Sequence, residues 1–125
     1  MSDLPGDVER FIADHFDSIE RLEILLLLRN RRPREFAPGE VTAELRLGPT
    51  SAPEQLAELA RRGFVVEEGQ PPRYRYGPDD SEKERLMNAL ARCYAERRVT
   101  VITQIFSPRT DPVRSFADAF KLRRK

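Results

Sequence analysis

Tryptophan is absent from this chain, and cysteine and histidine occur once each, as Cys93 and His15. A lone thiol excludes an intrachain disulfide and a thiolate metal cluster, and a reducing cytoplasm is the expected location. Cys93 falls within a helical pattern and reads as a small packed side chain, not a redox centre. His15 lies between Asp14 and Phe16 at the end of a predicted helix, where a helix-end cation is a better account than a catalytic base. A glycine-rich phosphate loop, a metal-spaced His or Cys cluster and a nucleophile beside a recognisable base are all missing. No enzymatic activity, cofactor or metal is therefore expected. Long apolar runs are missing too: Ile24-Leu25-Leu26-Leu27-Leu28, bounded by Glu23 and Arg29, is far short of the roughly 20 residues that span a bilayer. No membrane partner is expected, and the N-terminal residues lack the basic lead and apolar core of a secretory leader.

Strong net charge of either sign is also lacking. The 22 basic and 21 acidic residues leave +1 over 125 residues, so the overall balance makes no case for a polyanionic partner. The distribution is uneven. Residues 1–28 hold seven acidic and two basic side chains, and residues 97–125 hold eight basic and two acidic. Ends of opposite sign suit mutual attraction, within a chain or across a dimer, or presentation of the basic tail to an acidic partner.

What is present is a periodic pattern. Val8, Phe11, Ile12 and Phe16 predict a first helix capped by Asp7, and Asp17 with Glu20 has the form of a capping box for a second helix over about 19–30. The leucine run of that helix is apolar on all sides and has to be covered on more than one face. Arg31-Arg32-Pro33-Arg34 breaks it. Pro38 suits the first turn of a third helix, placed over 40–46, where Val41, Leu45 and Leu47 form a short apolar stripe ended by Gly48-Pro49. Ala52, Leu56, Leu59 and Ala60 mark a fourth helix over 51–62, which Gly63 ends by supplying a left-handed residue.

Strands are predicted at about 64–68 and 73–76, flanking Gly69-Gln70-Pro71-Pro72, with Tyr74 and Tyr76 facing inward and Arg73 and Arg75 outward. From Ser81, paired with Glu84 in a capping-box pattern, one helix of about 25 residues is expected to run to about 106. Its apolar residues Leu86, Leu90, Tyr94, Val101 and Ile105 exceed what so small a domain needs, and they are the expected homodimer interface. Asp111-Pro112 introduces a last, basic amphipathic helix with Val113, Phe116 and Phe120. The expected class is mainly α with a small β-hairpin wing. Residues 1–78 form the winged domain with its N-terminal helices, and 79–125 a dimerisation extension.

The turn at Gly48-Pro49, the helix with Ala52, Leu56 and Leu59 inward, the ending Arg61-Arg62-Gly63-Phe64-Val65 and the strand ending Tyr74-Arg75-Tyr76 resemble the winged helix-turn-helix superfamily. Within it, the chain is similar to small bacterial MarR-type transcriptional regulators. That resemblance implies a homodimer bound to double-stranded DNA, with 51–62 as the recognition helix. The implied DNA-binding residues are Thr50, Ser51 and Gln55 near its start, Arg61 and Arg62 at its end, and Arg73 and Arg75 on the wing. One departure stands out: residues 49–60 contain two glutamates and no lysine or arginine, although DNA readers present basic or amide groups there. The alternative is a winged-helix module that docks a protein partner, through helix 51–62 or the basic tail, and does not bind DNA directly.

Overall fold

Gly6–His15 forms α1, Ile19–Asn30 α2, Pro38–Leu45 α3 and Ser51–Arg61 α4; Val65–Glu68 and Arg73–Tyr76 are β1 and β2; Ser81–Glu96 and Arg98–Phe106 are α5 and α6. The computed structural model describes residues 4–106. The basic amphipathic helix expected after Asp111 lies outside the described residues. Ile19–Asn88 forms one compact unit, and the segments before Ile19 and after Asn88 form the other. A division at residue 78 instead places α1 with the wing.

In the 19–88 unit, α2 is the central element. Leu22, Ile24, Leu25 and Leu28 are fully buried, and Leu26 and Leu27 are half-buried, as a helix apolar on every side requires. It packs on α3, α4 and β2. Phe36, Val41, Leu56, Leu59, Phe64 and Met87 complete the core without exposure. Burying a side chain of this size stabilises a fold by about 1.5–3 kcal/mol before entropy is counted, so these residues hold the three helices and the hairpin together.

The hairpin is antiparallel, with Val65 opposite Tyr76 and Glu68 opposite Arg73. Phe36 adds a bridge to the other edge of β2: its N–H donates to the Tyr74 carbonyl at 2.8 Å, and the Tyr74 N–H donates back at 2.9 Å. Tyr74 and Tyr76 are buried, while Arg73 is exposed and Arg75 half-exposed, which is the alternation expected of a strand with one wet face. Burial raises the affinity of both tyrosine hydroxyls for their protons.

Three helix ends differ from the sequence expectation. α3 stops at Arg46, which takes the left-handed conformation at φ 58°, so Gly48-Pro49 follows the end instead of making it and Leu47 lies beyond the helix. Asp7 sits in the first turn of α1, whose N-cap is Pro5. At α5 the side chain that caps is Asp80, which accepts from the Lys83 N–H at 2.7 Å. The expected ending of α4 is present: Gly63 has φ 82°, the Phe64 N–H donates to Leu59 at 2.9 Å and the Gly63 N–H to Ala60 at 3.1 Å. This pair of bonds satisfies carbonyls that a helix end leaves open.

The single helix expected over 81–106 is two helices, separated at Arg97. The break is one residue wide, since Arg97 N–H still donates to Cys93 and Val101 N–H to Arg97. No proline or glycine marks the place. The run Val99-Thr100-Val101-Ile102-Thr103 begins two residues beyond it, and β-branched residues lose side-chain freedom in a helix, which weakens local helix preference. In this second unit α1 packs on α6, and Phe11 meets His15 and Phe16 edge-on at 5.2 and 5.8 Å. Cys93 is half-buried, and burial pushes its thiol pKa up.

Candidate nucleic-acid interface

α3, the turn after it, α4 and the β1–β2 wing lie in one unit, and this places every expected DNA-contacting residue on one framework. Ala52, Leu56 and Leu59 bury one face of α4. Pro53 is tolerated because it stands in the first turn, where backbone N–H groups have no helical partner. The remaining side chains divide into two groups.

The first group is held by neighbours. Ser51 donates its hydroxyl to Glu20 of α2 at 2.5 Å, and Gln55 accepts from the buried Arg21 guanidinium at 2.8 Å. Both therefore lean toward α2 and are only half-exposed. Glu58 gathers the two arginines at the end of the helix, pairing with Arg61 and with Arg62 Nε at 2.5 Å. The second group, Pro53, Glu54 and Ala57, forms with the paired Arg61 an exposed stripe at helical spacing along the open side. The Glu54 side chain makes no hydrogen bond or ion pair among the described residues. Thr50 is the N-cap but makes no side-chain capping bond.

The wing arginines are also paired. Arg73 reaches Glu40 at 3.1 Å and Glu35 at 3.8 Å, and Arg75 reaches Glu68 at 3.1 Å. Glu40 additionally accepts from the Ala37 N–H at 2.9 Å; that bond, with the Arg73 and Arg34 charges, holds its carboxyl below the usual carboxylate range. Arg46, exposed at the left-handed turn before α4, has no partner among the described residues. That freedom is set by packing and carries no local sequence signal. Half-exposed pairs of this kind are worth about 0–1 kcal/mol, so a phosphate can replace a carboxylate at Arg73 or Arg75 at little cost.

The expected dimer residues are placed differently. Leu90, Tyr94, Val101 and Ile105 are buried within one chain, and Leu86 is half-buried. Among the described residues, the large apolar side chains left open are Val99, 76% exposed, and Phe106, 70% exposed. Among the described residues no cluster of potential metal ligands occurs, and no helix is long and apolar enough to cross a membrane.

Helix, turn, helix and a two-stranded wing in this order define a winged helix-turn-helix fold. A solved MarR family transcriptional regulator from Streptomyces coelicolor matches it with a TM-score of 0.57 at 19% identity, over 94% of this chain and 81% of the other. A solved protein from Pseudomonas aeruginosa, described as a proposed transcriptional regulator, gives a TM-score of 0.49 at 18% identity, over 94% and 85% of the two chains. No protein-family model matches the sequence, and no curated protein does. The fold is thus the one expected from the Gly63 ending and the tyrosine-arginine strand, mainly helical with a small β wing.

Proposed function

We propose that the protein is a winged-helix transcriptional regulator that binds double-stranded DNA as a homodimer. The observation that carries the proposal is the arrangement of α4 and the wing: an open helix face in the same compact unit as Arg73 and Arg75, in a fold shared with a solved MarR family regulator. Arg46, Arg73 and Arg75 supply phosphate contacts, and α4 enters the major groove. Two copies give about six contacts, and each releases condensed counterions, so the logarithm of affinity falls with the logarithm of salt at a slope of about −5. Electrophoretic mobility measurements on a genomic fragment library across salt concentrations test this. Arg73→Glu with Arg75→Glu abolishes binding if the proposal holds; binding that persists in that variant overturns it.

A second function, protein docking without DNA, is favoured by one observation: the arginines at the end of α4 and on the wing already have acidic partners, while Glu54 faces outward unpaired. Under that alternative, reversing Glu54 and Glu58 to lysine releases a partner recovered by affinity capture, and no DNA fragment is retained by the wild type.

A further inference from the structure

α4 has few groups available to read a base. Ser51 is bound to Glu20 and Gln55 to Arg21, both on α2, and Glu58 is bound to Arg61 and Arg62. Using any of the three on DNA means breaking a contact that docks or ends the helix. Pro53 and Ala57, on the exposed stripe, offer only apolar surface. Glu54 is the polar side chain in the N-terminal half of the helix that is both exposed and unbound, and the N-terminal half is the part that meets base edges in a helix-turn-helix.

A carboxylate has only acceptors to offer. In the major groove, guanine presents two acceptors and thymine an acceptor and a methyl group, whereas cytosine presents its N4 amino donor. Adenine has an amino donor but sets an acceptor, N7, beside it. An ionised carboxylate on this stripe thus gains at cytosine and is repelled by the acceptors of the other bases. Discrimination comes as much from that repulsion as from the bond, because a mismatched base leaves a desolvated charge facing a lone pair. Pro53 and Ala57 beside it suit thymine methyl groups.

Building on the DNA-binding function above, we propose that Glu54 is the specificity-determining residue of this protein: it selects cytosine at one position of each half-site by accepting a hydrogen bond from N4. Gln55, the more obvious reader in the sequence, instead secures α4 to α2.

Selection from a random duplex library with the wild type, Glu54→Ala and Glu54→Gln tests the proposal. Circular dichroism is expected to be unchanged in both variants, since the side chain is exposed and unbound. The wild type is expected to fix cytosine at one half-site position by about tenfold. In Glu54→Ala that position becomes degenerate while the flanking motif and the half-site spacing persist, and affinity for random duplex rises because a negative charge has left the interface. In Glu54→Gln the preference moves to adenine, whose N6 and N7 match an amide. A wild-type motif without that cytosine, or the same motif from all three proteins, overturns the role of Glu54 and leaves DNA binding intact. Failure of every protein to enrich any duplex overturns the DNA-binding function itself, and the proposal with it.

Discussion

Arg21 Nε of α2 donates to the Gln55 side-chain oxygen of α4 at 2.8 Å, joining residues 34 positions apart. Arg21 is buried, so the bond answers part of the hydrogen-bonding demand of a guanidinium removed from water. It also turns Gln55 away from the open side of the helix.

Replacing Gln55 by alanine should therefore cost stability more than recognition. A hydrogen bond to a charged group contributes about 1.5–3 kcal/mol when well buried, and partial exposure here reduces that to about 1 kcal/mol. Urea unfolding is expected to show a lower midpoint at unchanged slope, while the DNA motif stays as in the wild type. A changed motif at wild-type stability would make Gln55 a base reader after all.

A side chain at Gly63 is disfavoured by both backbone and neighbours. Its φ of 82° disfavours L residues, and an added Cβ would stand 2.1 Å from an Asp79 carboxylate oxygen and 2.8 Å from Lys83 Nζ. Those two groups are paired at 2.7 Å, and Lys83 also donates to the Arg62 carbonyl at 2.7 Å. Gly63→Ala therefore strains the backbone by about 1–2 kcal/mol and displaces a clamp on the end of α4. A lowered melting temperature, with further loss in Gly63→Val, is the expected result.

Glu40 ties stability to acid. Its folded carboxyl, held down by the Ala37 N–H and by Arg73, binds fewer protons than the unfolded one, so its contribution is complete above about pH 4.3. It is lost as pH falls through the lower folded value. Glu40→Gln should be less stable than the wild type at neutral pH, with the gap closing in acid. A gap that stays constant down to pH 3 would remove Glu40 from the acid response.

Phe106 and Val99 stand open on α6. If a second copy covers them in the proposed homodimer, Val99→Ser with Phe106→Ser raises the dimer dissociation constant by at least about tenfold, because each large apolar side chain returned to water costs about 1.5–3 kcal/mol. Light scattering over a micromolar dilution series reads this directly. The thermal midpoint measured at a concentration where both proteins are monomeric should change little.

The order of elements through the wing was legible in the amino-acid sequence because each carried its own local signal. Helical spacing of Leu56 and Leu59, the Gly63 ending and the alternation of tyrosine and arginine depend on residues close together in the chain, and local stereochemistry translates them directly. The helix break at Arg97 was not legible, since nothing there but a β-branched run weakens the helix and no breaker marks the spot. Arg46 likewise ends α3 in a conformation usually left to glycine, before the expected Gly48-Pro49.

Tertiary structure alone decided which polar groups remain available. Ser51, Gln55, Arg61, Arg62, Arg73 and Arg75 are all exposed or half-exposed, yet each has a partner. The bonds from Ser51 and Gln55 to α2, and from Arg73 to Glu40, cross more than 30 residues of sequence. Local periodicity assigns a side chain to a face of its own helix or strand. Whether a distant carboxylate or guanidinium has claimed it depends on how the elements pack, and that left Thr50, Glu54 and Arg46 free.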